Sequence, residues 1–215
     1  MKCIIAGATG LIGNLLVQEL IKDDFFEEIL LLVRKKISIK SEKVKQLVFD
    51  FEDETAYKKI PSTDAIFCCL GTTIKMATSK DNFRKVDFHY PLKIGQNIGS
   101  KEYLLVSSMG ADKNSTIFYS KTKGALEYEL KKLNFTSLNI FRPSQLTGNR
   151  KEFRQGEIVS EKLMNLFNFL IPKNYQLIEA KTVAIAMKIK AKEQITGIFS
   201  HSSHQIKQIV TNEIN

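Results

Sequence analysis

The sequence predicts an α/β fold, a doubly wound parallel sheet with helices on both faces, and three observations lead to this prediction. The length of 215 residues fits a single domain that comprises residues 1–215. Segments that are apolar throughout alternate with segments of helical periodicity. Strands that are apolar on both faces belong to parallel sheets that helices cover on each side.

The amino-terminal part of the chain contains the clearest alternation of strands and helices. A short apolar run at Lys2–Ala6 predicts the first strand. Apolar residues at positions 11, 12, 15, 16 and 20 have the spacing of one helix face and predict a helix at Leu11–Ile21. Runs rich in Ile, Leu and Val predict further strands at Glu28–Val33, 45–49 and 65–70.

The alternation continues along the rest of the chain and weakens toward its end. It predicts helices at 83–98 and 118–133, and strands at 103–106 and 136–141. Weaker patterns predict helices at 158–171 and 181–192, and a late strand at 197–199. Because no linker separates residues 144–215 from the rest, residues from about 144 to 180 are expected to form a small C-terminal cap over the carboxyl edge of the sheet, where such folds bind ligands.

Composition excludes several classes of protein. An apolar fraction of 43% is too high for a disordered chain, and the apolar runs are too short for transmembrane helices. Three cysteines form no disulfide framework and show no zinc spacing, so we expect a reducing compartment and no metal. Glycines interrupt the apolar amino terminus, which is therefore interpreted as a strand and a turn of a cytoplasmic protein rather than as a signal peptide.

The net charge of +9 raises the question of nucleic-acid or membrane binding. The basic residues are scattered, however, and the longest basic run is Arg34-Lys35-Lys36. No stretch interleaves arginine with aromatic residues. We therefore expect neither a nucleic-acid partner nor a membrane partner.

The motif GATGLIG at residues 7–13 is the strongest functional signal. It places Gly7, Gly10 and Gly13 three residues apart, after a predicted strand and at the start of a predicted helix. Such glycines permit a tight turn, close approach of the backbone to a pyrophosphate, and packing of helix on strand. The helix amino terminus offers unpaired N–H groups to phosphates. The motif therefore predicts a dinucleotide site in a Rossmann-type fold.

The residues after the second strand favour NADP(H), with NAD(H) as the alternative. The carboxylate that would hold the ribose 2′-hydroxyl of NAD is expected about 20 residues beyond the glycines, and none occurs there. Arg34 stands in its place and can bind a 2′-phosphate, with Lys35 assisting. Asp50 is a candidate acceptor for the adenine amino group.

A tyrosine four residues before a lysine on a helix places both side chains on one face, where the ammonium favours the phenolate. The chain has two such pairs, Tyr119/Lys123 and Tyr128/Lys132. The two tyrosines are nine residues apart, so they face opposite sides of one helix. Tyr119 lies at the start of the predicted helix, close to the expected nucleotide. The pair Tyr119/Lys123 is therefore the catalytic candidate.

Ser107 and Ser108 end the strand that precedes this helix, and either hydroxyl can orient a substrate carbonyl. Because successive strand residues face opposite sides, only one of them is expected to point into the cleft. Ser108 is favoured because it lies past the last apolar strand residue, where the chain leaves the sheet.

Four segments together carry a family resemblance: GATGLIG at 7–13, FCCLGTT at 67–73, SSMGADKNSTIFYSKTKG at 107–124 and FRPSQLTGNRKEFRQGE at 141–157. They resemble the Tat-interacting-protein family of atypical short-chain dehydrogenase/reductases. The resemblance implies bound NADPH and Ser, Tyr and Lys in catalytic positions, which match Ser108, Tyr119 and Lys123. The predicted cofactor contacts are Gly7, Thr9, Gly10, Leu11, Ile12, Gly13, Arg34, Lys35, Asp50, Leu70, Gly71, Thr72, Lys123, Arg142 and Pro143.

Two features leave the function open between classes. Many catalytic members of the superfamily have an asparagine where this chain has Asp87, and an ionised carboxylate cannot donate the hydrogen bond that an amide donates. Arg142, Arg150 and Arg154 are candidates to bind an anionic substrate or the cofactor phosphates, or to form ion pairs with Glu152 and Glu157. The sequence thus predicts an NADPH-dependent reductase of a small carbonyl compound. The alternatives are an NADPH-sensing regulatory protein with a protein partner and, less favoured, a sugar-nucleotide epimerase.

Overall fold

The computed structural model describes residues 1–148 and 175–214, which form a parallel sheet with helices on both faces. Its strands are β1 (Lys2–Ala6), β2 (Glu28–Val33), β3 (Val44–Val48), β4 (Thr63–Cys68), β5 (Ser100–Val106), β6 (Ser137–Arg142), β7 (Leu146–Thr147), β8 (Ile178–Glu179) and β9 (Gly197–Ser202). In the described ranges the main sheet has seven strands in the order β3-β2-β1-β4-β5-β6-β9, all parallel. The strand order changes direction between β1 and β4. Folds of this kind bind ligands at that change of direction, outside the carboxyl ends of the strands.

The helices lie on the two faces of the sheet. They are α1 (Leu11–Ile21), α2 (Glu54–Tyr57), α3 (Ile74–Ala77), α4 (Lys80–Arg84), α5 (Tyr90–Asn97), α6 (Phe118–Leu130), α7 (Ala180–Glu193) and α8 (Ser203–Ile214). A π-helical turn, Lys85–His89, joins α4 to α5. Buried residues of α1, α7 and α8 form one core, and buried residues of α5 and α6 form the other.

The strands are apolar throughout because both of their faces are buried. In β1, Ile5 belongs to the core beneath α1 and α7, whereas its neighbour Ile4 belongs to the core beneath α5 and α6. Both side chains are almost fully buried. This arrangement confirms the predicted α/β doubly wound fold.

The structure differs from the predicted elements in one helix and at the C-terminal edge of the sheet. The predicted helix 83–98 begins three residues earlier, at Lys80, and contains the π-helical turn. The predicted late strand extends to Ser202, and the following helix α8 was not predicted. In β9 exposed residues alternate with residues that are mostly only half-buried, because this strand lies at the sheet edge, so its apolar pattern is weak.

The C-terminal cap stays a prediction. The strands β7 and β8, which lie at its two ends, pair in parallel. Residues 149–174 of it, which include the predicted helix 158–171, lie outside the described residues. None of the helices that the structure describes has the length and apolar character needed to cross a bilayer.

A buried carboxyl group in β5 makes stability depend on pH. Glu102 lies between Ala65 of β4 and Ser137 of β6 and is 5% exposed. Within the described part of the chain, one of its carboxylate oxygens has no hydrogen-bond partner. Burial and the charge of Asp64 raise the pKa of Glu102 to about 7. The folded state therefore favours the protonated carboxyl, and the stability that this group contributes is lost as pH rises through 7.

The substitution Glu102→Gln tests this placement. We expect it to raise the free energy of unfolding at pH 8 by about 1–2 kcal/mol and to change it little at pH 4.5. Urea titrations at both pH values measure the difference, with the exposed Glu42→Gln as the control. A gain that is equal at both pH values would show that ionisation of Glu102 is not its cause.

Candidate active site

The glycine loop between β1 and α1 has a conformation that only these glycines permit. Gly7 has a φ of 91°, and a Cβ on it would lie 2.6 Å from the carbonyl carbon of Cys69. A Cβ on Gly13 would lie 2.1 Å from the carbonyl oxygen of Gly7. The first turn of α1 therefore packs directly against the end of β1, as the motif predicts.

The amino terminus of α1 has the features of an anion-binding site. Gly10 is the N-cap residue, no side chain caps the helix, and its first turn contains no acidic residue. Thr9 and Gly10 are exposed, whereas Ile12 and Gly13 are buried beneath them. The first amides of the helix and the positive end of its dipole thus face an open glycine cradle, and this arrangement fits a pyrophosphate.

The basic residues that follow β2 are exposed and face solvent. Arg34 and Lys35 make no hydrogen bond or ion pair within the residues that the structure describes. Asp50, just beyond the end of β3, is exposed, and one of its carboxylate oxygens accepts a hydrogen bond from the Glu52 amide at 2.9 Å. The Arg34 guanidinium is therefore free to bind a phosphate. It stands where a carboxylate would otherwise bind the ribose 2′-hydroxyl of NAD.

The loop after β4 connects the glycine loop to the helix that carries the tyrosine and lysine. The Cys69 amide donates to the Ala6 carbonyl at 2.8 Å, which holds this loop beside Gly7. A Cβ added to Gly71 would lie 3.7 Å from the Lys123 ammonium. Leu70, Gly71 and Thr72 thus extend from the glycine loop to Lys123, and their contacts with a cofactor stay predictions.

Lys123 forms a buried ion pair that sequence reasoning did not identify. Its Nζ lies 2.7 Å from Oδ1 of Asp87, and the two side chains are 5% and 0% exposed. Burial alone would lower the pKa of Lys123, but the negative charge of Asp87 raises it above its ordinary value. Burial raises the pKa of Asp87, and Lys123 and the Thr72 amide oppose that change. The ammonium is therefore held in the charged form.

Tyr119 lies one turn before Lys123 on α6 and is partly exposed. Its ring packs against Phe83 with the centroids 5.5 Å apart, and its hydroxyl has no hydrogen-bond partner among the described residues. Tyr128 is 43% exposed, and the ammonium groups of Lys113 and Lys132 lie 3.5 Å and 4.2 Å from its ring centroid. Tyr128 is thus a surface residue in cation–π contacts.

The two serines after β5 have different partners. Ser107 donates a hydrogen bond to Oε1 of Glu127 at 2.5 Å. The hydroxyl oxygen of Ser108 is buried and has no partner within the described part of the chain. Ser108, the serine that the sequence favours, is therefore the one whose hydroxyl has no partner among the described residues, and its contact with a substrate stays a prediction.

Glu127 also binds Arg142, a contact that was not predicted from the sequence. The Arg142 Nε donates to Oε1 of Glu127 at 3.0 Å, and a second nitrogen of the same guanidinium contacts Oε2. This hydrogen bonding raises the pKa of Arg142. The Pro143 carbonyl accepts from the Met109 amide at 2.9 Å. The structure thus gives both residues internal partners, and their contacts with a cofactor stay predictions.

The remaining candidates fall into two groups. Arg150, Arg154, Glu152 and Glu157 lie outside the described residues. Cys3 and Cys68 are buried free thiols whose pKa values burial raises, and Cys69 is a free thiol that is partly exposed. No group of three His, Cys, Asp or Glu within residues 1–148 and 175–214 is arranged to hold a metal ion.

Comparison with known proteins identifies relatives of the whole nucleotide-binding region. A family model described as NAD(P)H-binding matches residues 7–162. The chain is 38% identical over 165 residues to protein HTATIP2 of Rattus norvegicus. This alignment covers 74% of this chain and 68% of that protein. It is 35% identical over 160 residues to the mitochondrial protein FMP52 of Candida albicans. That alignment covers 71% of this chain and 70% of the FMP52 chain.

Solved structures share the fold at low sequence identity. The human epimerase family protein SDR39U1 with NADPH superposes with a TM-score of 0.65 at 16% identity, over 94% of this chain and 74% of that one. The Bordetella bronchiseptica enzyme WbmG in complex with NAD gives a TM-score of 0.68 at 12% identity, over 100% of this chain and 78% of that one.

The family match begins at Gly7 and includes the glycine cradle, the loop after β4 and the helix with Tyr119 and Lys123. The predicted resemblance to the Tat-interacting-protein family is confirmed by the likeness to HTATIP2. This chain therefore belongs to the NAD(P)H-binding family of Rossmann-fold proteins that includes HTATIP2 and FMP52.

Proposed function

We propose that this protein is an NADPH-dependent reductase of a small carbonyl compound, with Ser108, Tyr119 and Lys123 as its catalytic residues. The observation that carries the proposal is the buried Ser108 hydroxyl, which lacks a partner among the described residues, whereas Glu127 binds its neighbour Ser107. A buried hydroxyl without a hydrogen bond is costly, and a substrate carbonyl oxygen would satisfy it.

Each residue has a distinct role in the proposed reaction. When bound, a reduced nicotinamide supplies the hydride that converts a carbonyl carbon into an alcohol carbon. Ser108 donates a hydrogen bond to the carbonyl oxygen, and Tyr119 donates the proton that this oxygen gains. Lys123 binds the ribose hydroxyls and presents its charge to the phenol. Tyr119 is partly exposed, and its hydroxyl has no hydrogen-bond partner among the described residues.

The proposed preference for NADPH over NADH depends on Arg34. A charge-assisted hydrogen bond from its guanidinium to a 2′-phosphate is worth about 1.5–3 kcal/mol. We therefore expect Arg34→Glu to weaken NADPH binding by about 10- to 100-fold and to change NADH binding little. Calorimetric titration with both nucleotides measures the two affinities.

The control for Arg34 is Lys36→Glu, which makes the same kind of charge change in the same exposed basic run. It should lower NADPH affinity far less, because Lys36 is not assigned to the site. If the two variants lose NADPH affinity equally, the overall charge and not a contact with Arg34 sets the preference.

A regulatory protein that senses NADPH is the second candidate function. The ion pair of Lys123 with Asp87 favours it, because the ammonium already has a partner of opposite charge. A screen of aldehydes and ketones for NADPH oxidation distinguishes the two candidates. Turnover of any of them supports the reductase, whereas tight binding of NADPH with no turnover supports the sensor.

The proposal places the protein in the cytoplasm, without a nucleic-acid or membrane partner. The three free thiols support a reducing compartment. The Candida relative is named as mitochondrial, so a fluorescent fusion of the full chain should be compared with a mitochondrial marker. Overlap with that marker would contradict the cytoplasmic placement.

A further inference from the structure

Asp87 joins two parts of the candidate site that lie on different elements. Its Oδ1 contacts the Lys123 ammonium on α6 at 2.7 Å. Its Oδ2 accepts a hydrogen bond from the Thr72 amide, in the loop after β4, at 2.9 Å. The carboxylate thus fixes the position of the ammonium relative to the backbone that is expected to border the cofactor.

The backbone around Asp87 has an uncommon conformation. Asp87 lies in the π-helical turn Lys85–His89, between two α-helical segments of the same helix. Single π-helical turns within α-helices occur frequently at functional sites, because the extra residue redirects a side chain. Here the turn carries a side chain that is fully buried and charged.

The pair also determines the local charge at Lys123. Among the described residues, the titratable groups that chiefly shift the pKa of Lys123 are Asp87, Tyr119 and the thiol of Cys68. Burial raises the pKa of the Cys68 thiol, which therefore stays neutral. With the carboxylate and the ammonium both charged, the two charges cancel, whereas an amide at position 87 would leave a net positive charge in a region of low dielectric.

We propose that Asp87 is a positioning residue that holds Lys123 against the loop after β4 and cancels its charge, so that the site accepts the oxidised nicotinamide cofactor as well as the reduced one. The inference rests on the proposed cofactor site at Gly71, Thr72 and Lys123. The nicotinamide ring is positively charged when oxidised and neutral when reduced. An uncompensated ammonium therefore repels the oxidised form alone.

The test measures the ratio of the Kd for NADP⁺ to the Kd for NADPH by calorimetry. Asp87→Asn leaves the Lys123 charge uncompensated, and we expect the ratio to rise about tenfold. Lys123→Gln leaves the Asp87 charge uncompensated, and we expect the ratio to fall by a similar factor. A loss of packing or of a ribose contact weakens both nucleotides together and cancels in the ratio.

The double variant Asp87→Asn/Lys123→Gln removes both charges and should return the ratio to that of the parent protein. It also keeps the test possible if a single variant does not fold, because it leaves no buried charge without a partner. The control is Asp81→Asn, an exposed aspartate at the start of the same helical segment, which should not change the ratio.

The outcomes separate this inference from the function on which it rests. Shifts of both single variants in the same direction, no shift in either, or a shifted ratio in the double variant would overturn the role of Asp87 while the proposed function stands. A parent protein that binds neither nucleotide would instead overturn the proposed function, and this inference with it.

Discussion

Tyr119→Phe should lower turnover by about 10²- to 10⁴-fold, the usual loss when a general acid is removed. The change deletes one oxygen atom and keeps the ring that packs against Phe83. NADPH affinity should barely change, because the phenol acts on the substrate and not on the nucleotide. Initial rates of NADPH oxidation and calorimetric titration measure the two quantities separately.

Tyr128→Phe is the matched control on the same helix. It deletes the same atom from the other Tyr-x-x-x-Lys pair, on a ring that is 43% exposed and covered by two lysines. Its turnover should equal that of the parent protein. If both variants lose turnover alike, or neither does, Tyr119 is not the proton donor.

Gly13→Ala should reduce NADPH affinity by at least about 100-fold and destabilise the fold. The added Cβ would lie 2.1 Å from the carbonyl oxygen of Gly7, which is backbone and cannot rotate away. The first turn of α1 must then move off β1, and the amides that bind the pyrophosphate move with it. Overpacking of this kind costs about 1–3 kcal/mol or more in stability.

The control for Gly13 is Gly99→Ala, where an added Cβ would lie 3.4 Å from the Ser62 side chain. That substitution should change neither the melting temperature nor the affinity appreciably. Calorimetric titration and thermal unfolding of both variants provide the comparison. Normal NADPH binding by Gly13→Ala would show that the glycine loop does not hold the pyrophosphate.

Sequence patterns predict the glycine loop correctly because its requirements are local. Only glycine tolerates the φ of Gly7 and the close approach at Gly13, and both can be read from three residues at fixed spacing. The buried strands are equally clear, because strands covered on both faces are apolar at every position. The edge strand β9 is exposed on alternate residues, and its pattern was correspondingly weak.

The side-chain partners in the site depend on tertiary contacts and could not be predicted in this way. Strand alternation shows that Ser107 and Ser108 point in opposite directions, but not which of them meets Glu127, 20 residues further on. Asp87 is recognisable as a substitute for an amide. Its contact with Lys123 is made from a π-helical turn, for which the sequence has no evident signal.

Transfer of deuterium from NADPH labelled at C4 of the nicotinamide tests the reductase proposal most directly. The protein is incubated separately with the two C4-labelled stereoisomers and with the carbonyl compounds that the screen identifies, and the products are analysed by mass spectrometry. The account predicts that one stereoisomer gives an alcohol with one deuterium on the former carbonyl carbon, and that Tyr119→Phe nearly abolishes its formation. An absence of labelled alcohol from every compound, while NADPH binds tightly, would contradict the reductase and support the sensor.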